Sequence, residues 1–239
     1  MNKKQILVAA AFTVLCPLAG NVQAQQADSF MGDVHGTIGL RLWRTEWTSW
    51  FGANQYITSD TETAVIPVAS LRYKDFLVSG SYLVETDFNF PGEDYHPKRK
   101  EYDVNFGYFL LPSLAATVGY KHMQYADVYE WRTKGWTVGL SGSAPLAPYV
   151  SLYGNLAYGR PKINDNAGVF TGQRAKYLLT EFGLAFPLGQ MSPSMNGFLL
   201  TAGYRYQRVG ANPNLNAGAG DKELFEYTQG AVIGFSYSM

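Results

Sequence analysis

Cysteine is nearly absent from this 239-residue sequence, and neither sign of charge dominates it. The one cysteine, Cys16, lies in an apolar stretch near the start, so the rest of the chain has no thiol for a disulfide, a nucleophile or a soft-metal site. Lysine and arginine together number 19, and aspartate and glutamate also number 19. Because no basic excess exists, the sequence predicts no nucleic-acid partner.

Long apolar runs are missing beyond residue 24. No later segment approaches the roughly 18 residues that a membrane-spanning helix needs. The start differs, because Lys3 and Lys4 precede an apolar stretch at 6–18, and the compact residues typical of a cleavage site follow at 22–24. This pattern predicts a cleavable signal peptide at 1–24 and one domain at 25–239.

The sequence does contain a repeated alternation of polarity with a period of two. Ten such segments, bounded by turn residues, predict antiparallel strands at 34–46, 64–73, 76–87, 101–110, 114–124, 135–143, 149–159, 176–187, 197–208 and 226–239. In the clearest, Tyr102, Val104, Phe106 and Tyr108 alternate with Asp103, Asn105 and Gly107. The polar face is rich in glycine, serine and asparagine, which suits an enclosed lumen, whereas the large apolar face suits lipid.

The connections between these segments alternate in length. Short turns are expected at 74–75, 111–113, 144–148 and 188–196, and long loops at 50–63, 89–100, 125–134, 160–175 and 210–225. Transmembrane barrels have short turns on the periplasmic side and long loops outside. We therefore predict an all-β fold, a closed antiparallel up-and-down transmembrane β-barrel of about ten strands, with eight or twelve as alternatives and both termini on the short-turn side.

The last segment alternates Ala231, Ile233, Phe235 and Tyr237 with small residues and ends at Met239. It resembles the C-terminal assembly signal of Gram-negative outer-membrane proteins, in which the last residue is usually phenylalanine, so Met239 is a departure. The chain as a whole resembles small Gram-negative outer-membrane β-barrels, although no motif identifies a subfamily. That resemblance implies a multi-pass protein of the bacterial outer membrane, contact with outer-membrane lipid and lipopolysaccharide, and insertion by the barrel assembly machinery.

Several charged residues are expected on the inward face. The predicted lumen network or pore lining consists of Arg41, Glu85, Asp103, Lys121, Glu181 and Arg205, and Asp87 is expected on the same face. The turn positions place Asp103 opposite Lys121, and Glu181 close to Arg205, as cross-strand pairs. Two interpretations remain open, namely a charged network that fills the lumen and a narrow selective pore lined by the same charges.

Two further groups are expected near the outer rim. The basic cluster Lys98, Arg99 and Lys100 is predicted to contact lipopolysaccharide phosphates, with a solvated loop as the alternative. Aromatic residues cluster where strands leave the membrane and predict an interfacial girdle: Trp43, Trp47, Trp50, Phe51, Phe88, Phe90, Tyr125, Tyr129, Trp131 and Trp136. A ligand-stacking platform built by Trp47, Trp50 and Trp131 is the alternative.

No catalytic set is convincing, and no metal or cofactor motif follows the signal. His122 is expected to face lipid near the outer interface, without a serine or carboxylate to complete a nucleophile–base set. The sequence around His35 and His96 likewise suggests no convincing catalytic set. Asp94 with His96, and Asp87 with Asp103, superficially resemble the catalytic pairs of omptin proteases, but spacing and context do not match. Gly218-Ala219-Gly220 lacks the third glycine and the helix of a dinucleotide site.

The sequence therefore predicts a non-enzymatic outer-membrane barrel. It acts either as a narrow channel for small solutes or as a structural, surface-exposed protein. The alternative is an outer-membrane enzyme, either a lipid-A-modifying hydrolase or an omptin-like protease.

Overall fold

The computed structural model describes residues 34–50, 56–93, 95–126, 130–214 and 223–239. The predicted signal peptide at 1–24 lies outside this range. The strands are β1 (Val34–Trp50), β2 (Tyr56–Thr58), β3 (Glu62–Tyr73), β4 (Phe76–Asp87), β5 (Lys98–Leu111), β6 (Leu114–Ala126), β7 (Trp131–Ala147), β8 (Val150–Gly159), β9 (Lys162–Asp165), β10 (Lys176–Pro187), β11 (Phe198–Ala211) and β12 (Leu224–Ser238). Two short 3₁₀ turns, Leu188–Gln190 and Pro193–Met195, connect β10 to β11.

Ten of these strands form a closed antiparallel barrel. Each long strand pairs with the next along the chain, and β12 pairs with β1 from Thr37↔Ser238 to Thr48↔Tyr227, which closes the sheet. The remaining two strands are short additions, because β2 pairs with the end of β1 and β9 pairs with the start of β7. The predicted ten-stranded barrel is confirmed, and each of the ten long strands has a paired neighbour on both sides.

Several strands extend farther toward the long connections than the alternation indicated. β1 continues to Trp50, β5 begins at Lys98 and β7 begins at Trp131. The short strands β2 and β9 lie within the segments predicted as loops at 50–63 and 160–175. The strands therefore stay paired beyond the lipid-facing part of the barrel wall. Only in that part does an apolar outer face make polar and apolar residues alternate in the sequence.

Both ends of the described chain lie at the short-turn end of the barrel. The backbone N–H of Gly36 donates to the carbonyl of Met239 at 2.9 Å, and the N–H of Met239 donates back to Gly36 at 2.9 Å. The turn between β3 and β4 takes only Lys74 and Asp75, with Lys74 at a φ of 53°. The expected arrangement of termini and short turns is thus observed.

The outer face of the wall carries an apolar belt. Its most exposed members include Phe106 at 62%, Val138 at 58% and Ile233 at 56%. Exposed aromatic residues lie at both ends of the belt, with Tyr82, Tyr102 and Trp136 toward the long connections and Tyr73, Phe76 and Tyr108 toward the short turns. A closed barrel with an apolar outer belt between aromatic girdles is the architecture of outer-membrane proteins, and it places this chain in a bacterial outer membrane. The described residues include no helix with the length and apolar character to cross a membrane.

Candidate functional site: a charged and aromatic layer in the lumen

Inward-facing side chains from five strands form one charged layer across the lumen. Strand alternation brings Arg99, Glu101 and Asp103 of β5 to the same inner face, because residues two apart point to the same side of a sheet. The other members are Lys121 of β6, Glu181 of β10, Arg205 and Gln207 of β11, and Arg41 of β1. This set is called the charged layer below.

One half of the charged layer is centred on Glu101 and Lys121. The Nζ atom of Lys121 lies 2.7 Å from Glu101 Oε2 and 2.9 Å from Asp103 Oδ2, and its side chain is 1% exposed. Glu101 also accepts hydrogen bonds from the guanidinium of Arg99 and from Gln207 Nε2, the latter at 2.9 Å. Arg99 donates in addition to the hydroxyl of Thr228. Each buried charge in this half therefore has an oppositely charged partner, as burial requires.

The other half is centred on Glu181, whose side chain is 1% exposed. Its carboxylate accepts from Arg41 Nη1 at 3.0 Å and from Arg205 Nη1 at 3.1 Å. The Arg205 guanidinium also lies 5.0 Å from the ring centroid of Trp43, within the range of a cation–π contact. The two halves meet at β11, which supplies Arg205 to this half and Gln207 to the half centred on Glu101 and Lys121.

An aromatic cluster fills the barrel on the outer side of the charged layer. Trp47 lies at its centre, with ring centroids 5.4 Å from Phe88, 5.4 Å from Phe90 and 4.9 Å from Tyr125. Phe170, from the turn after β9, contacts Trp131 at 5.9 Å. The other buried members are Met123, Ile163, Ala175, Tyr177, Val209, Ala211 and Leu224. Apolar packing therefore continues the closure that the charged layer begins.

A cavity of about 350 Å³ lies on the opposite side of the charged layer, toward the short turns. Hydroxyl and amide side chains form much of its wall, among them Ser79, Asn105, Thr117 and Asn155. Charged-layer residues, including Arg41, Asp103, Glu181 and Arg205, also line the cavity, as do apolar residues such as Val68, Leu77 and Leu199. This part of the lumen is consequently a vestibule of mixed polar and apolar character that borders the charged layer.

Five of the six residues predicted for the lumen are in the charged layer: Arg41, Asp103, Lys121, Glu181 and Arg205. The register pairs Asp103 with Lys121 and Glu181 with Arg205, as the turn positions indicated. The sequence interpretation missed Arg99, Glu101 and Gln207. Parity with Asp103 and Arg205 was a signal for Glu101 and Gln207, which lie inside the predicted strands, whereas Arg99 lies before the predicted start of its strand at 101.

Glu85 and Asp87 were wrongly assigned to the lumen. The β4–β5 register shifts between Leu83 and Thr86, so a bulge inserts one extra residue into β4. Glu85 is consequently 45% exposed and lies 4.0 Å from Lys98 and 3.6 Å from Lys100 on the outer surface. Asp87 is 70% exposed and lies 3.8 Å from Lys98.

The three residues of the predicted lipopolysaccharide cluster do not all lie on the same face of the barrel wall. Arg99 faces inward and is 1% exposed, so the lipid contact predicted for it is wrong. Lys98 and Lys100 face outward, where the carboxylates of Glu85 and Asp87 already balance their charge. Any contact of these two lysines with lipid phosphates would compete with these ion pairs.

The predicted aromatic girdle is largely inside the barrel. Trp43 and Trp47 are fully buried, and Phe88, Phe90, Tyr125 and Trp131 are buried with them, because all point into the lumen. Trp50 packs against the same cluster, whereas Trp136 does face outward and is 67% exposed. Phe51 and Tyr129 lie outside the described residues. The buried position of Trp47 also contradicts an open stacking platform built on Trp47, Trp50 and Trp131.

The residues considered for catalysis are not brought together. His122 faces outward, where its Nδ1 is hydrogen-bonded to the hydroxyl of Tyr102 and its strand neighbour on β7 is Lys134. Asp87 and Asp103 lie on opposite faces of the wall, so they do not form a carboxylate pair. Asp94 and the glycine segment 218–220 lie outside the described residues. Among the residues described, no group of three or more histidine, cysteine or acidic side chains is arranged to hold a metal ion.

Comparisons with known proteins find similarity in architecture. The outer membrane protease OmpT from Escherichia coli matches with a TM-score of 0.47 and 12% identity, over 91% of this chain and 100% of that chain. The translocator domain of autotransporter NalP from Neisseria meningitidis matches with a TM-score of 0.40 and 12% identity, over 98% and 94%. Ail, the attachment invasion locus protein of Yersinia pestis, matches with a TM-score of 0.35 and 15% identity, over 87% and 99%. No protein-family model and no curated protein matches the chain in sequence.

Proposed function

We propose that this protein is a sealed, non-enzymatic outer-membrane barrel that acts as a structural, surface-exposed protein rather than as a channel. The observation that carries the proposal is the closure of the lumen by two successive layers, the charged layer and the aromatic cluster. A single constriction can open by the movement of one side chain. Two layers of different chemistry require the separation of ion pairs and of packed rings together.

The charges in the lumen support a structural role. Rings of charged side chains select ions when the pore water reaches them. Here Lys121 and Glu101 are 1% and 2% exposed, and each is within 3 Å of an opposite charge. Ion pairs of this kind join neighbouring strands. Because the paired charges neutralise each other, they interact little with a solute in the lumen.

The outer connections support the same interpretation. Ile163 of β9 is fully buried and Phe170 is nearly so, and both insert into the aromatic cluster. The carboxylate of Asp165 holds this hairpin in place by accepting the backbone N–H groups of Val169 and Phe170 at 2.7 and 3.1 Å. The segment predicted as a loose loop thus forms a fixed cap on the outer end of the barrel.

Planar-bilayer recording of the refolded protein tests the sealed lumen. Folding is verified first by heat-modifiable migration on a gel, and we expect no steady unitary openings. The matched variant is Lys121→Gln, which alters the charged layer alone. Steady openings whose conductance or ion selectivity changes in this variant would identify the lumen as a pathway and would refute the sealed barrel.

The non-enzymatic part of the proposal has a separate test. The outward surroundings of His122 offer Tyr102 and Lys134, which are neither the serine nor the carboxylate that a serine- or aspartate-type site uses. Mass spectrometry of lipid A from cells with and without the protein should show identical species. A peptide-cleavage assay should show no turnover above that of protein-free vesicles. A new lipid A species or a cleaved peptide would support the enzyme class instead.

A further inference from the structure

Three cations form a row on the outer surface of the barrel where β7 and β9 meet. Lys134 of β7 pairs in register with Lys162 of β9, and Lys162 forms an isolated bridge with Arg174. All three side chains are exposed. Adjacent strands lie about 4.8 Å apart, so the three cations occupy neighbouring positions on one face. This set is called the basic row.

Within the barrel wall the basic row is electrostatically unfavourable, because like charges directly opposite each other on neighbouring strands destabilise a sheet. The nearby carboxylates are engaged elsewhere: Glu130 lies 3.8 Å from Arg132, and Glu223 lies 2.9 Å from Lys176. The Asp165 carboxylate accepts backbone N–H groups of its own hairpin. In the part of the chain that the structure describes, no carboxylate lies within 4.0 Å of the charged atoms of the basic row.

The height of the basic row on the wall matches the lipid headgroups. Trp136, the most exposed aromatic of β7, lies two residues from Lys134, or roughly 7 Å along the strand. Its ring contacts Tyr120 at a centroid distance of 5.5 Å, and Val138 continues the apolar belt below it. Tryptophan and tyrosine mark the membrane interface. The basic row therefore lies just beyond the acyl chains, on the outer side.

From charge, spacing and height together, we propose that Lys134, Lys162 and Arg174 bind the phosphate groups of an anionic glycolipid of the outer leaflet, with its acyl chains against Trp136 and Val138. Phosphate oxygens accept charge-assisted hydrogen bonds from lysine and arginine. A phosphorylated lipid supplies both the missing negative charge and an apolar part that continues along the belt. This site differs from the Lys98 and Lys100 position, where protein carboxylates already balance the cations.

The test uses the folded protein in neutral detergent micelles, with bisphosphorylated lipid A added to the micelles. The readout is the temperature at which the heat-modifiable folded form is lost, measured across a lipid titration. We expect bisphosphorylated lipid A to raise this temperature, and dephosphorylated lipid A or inorganic phosphate at the same concentration to leave it unchanged. Lys162→Gln should weaken the apparent affinity about fivefold, because a basic residue near an anionic surface contributes about 1 kcal/mol. The triple variant Lys134→Gln, Lys162→Gln, Arg174→Gln should weaken it on the order of a hundredfold.

The matched control is Arg44→Gln. Arg44 is an exposed cation on the outer face of β1, which lies five strands from β7 in either direction around the barrel. This variant should keep the full response to lipid A. An unchanged response in the triple variant, an equal loss in Arg44→Gln, or an equal response to dephosphorylated lipid A or free phosphate would each overturn the proposal. If the triple variant does not fold, the comparison of Lys162→Gln with Arg44→Gln decides the outcome.

Discussion

Replacing Glu101 with glutamine removes one negative charge from the charged layer and keeps the shape of the side chain. Glu101 is the common acceptor for Arg99, Lys121 and Gln207. After the change Lys121 keeps Asp103, at 2.9 Å, but Arg99 keeps only the hydroxyl of Thr228 as a side-chain acceptor. Removing one partner of a buried ion pair costs about 3–5 kcal/mol, because the other charge remains buried and uncompensated.

The lower end of that range applies here. The cavity of about 350 Å³ borders the charged layer, and Asp103 is 19% exposed, so water can reach one side of it. We expect Glu101→Gln to lower the free energy of unfolding by about 3 kcal/mol. Combining it with Lys121→Met removes equal and opposite charges. The double variant should therefore lose less than the sum of the two single variants, by about 1–3 kcal/mol.

Urea unfolding in detergent micelles, followed by tryptophan fluorescence, measures these differences. The matched control is Glu85→Gln, on the outer surface of the same hairpin, where ion pairs with exposed lysines contribute about 0–1 kcal/mol. A loss below 1 kcal/mol for Glu101→Gln, or strict additivity in the double variant, would show that the charged layer does not hold the lumen together.

Two further predictions concern packing. Trp47→Ala should lower the free energy of unfolding by about 3–5 kcal/mol, because it empties the centre of the aromatic cluster. Trp136→Ala, on the lipid-facing surface, should lower it less. The order of the two urea midpoints checks this prediction. Gly230→Ala should prevent formation of the heat-modifiable folded form, because the alanine methyl group would meet backbone atoms of β1 where β1 and β12 close the barrel. Gly80→Ala should fold normally, because the nearest atom to its methyl group would be 3.6 Å away. A folded Gly230→Ala barrel would contradict the closure described here.

The alternation of polarity predicted the barrel because lipid favours large apolar side chains on one face of each strand, whereas the lumen favours small or polar side chains on the other face. Short turns also made cross-strand pairs predictable, since a tight turn determines the register of the strands that it joins. Asp103 with Lys121 was found in this way, and a similar count across the longer connection at 188–196 placed Glu181 close to Arg205. Pro67, which interrupts the pattern of β3, still lies within a paired strand.

The errors at Arg99 and Trp131 share one physical origin. Beyond the membrane the outer face of the wall is no longer apolar. The alternation of polar and apolar residues therefore no longer indicates which face of the wall a residue occupies. Arg99 and Trp131 lie in such strand extensions, and both were placed outside the lumen although the structure buries them. Glu85 was misplaced for a different reason, because a bulge reverses parity locally and nothing in the sequence marks it.

From the sequence alone came the barrel class, a count of about ten strands with eight or twelve as alternatives, and the end of the barrel at which the termini lie, because these depend on local alternation and on turn length. The tertiary structure was needed to show that the charged layer and the aromatic cluster occupy successive levels of the lumen, and that Lys134, Lys162 and Arg174 adjoin. Each feature brings together residues from strands that are distant along the chain. In the first case they meet across the lumen, and in the second through the short strand β9. Such contacts depend on how the closed sheet brings its faces together, which local periodicity does not encode.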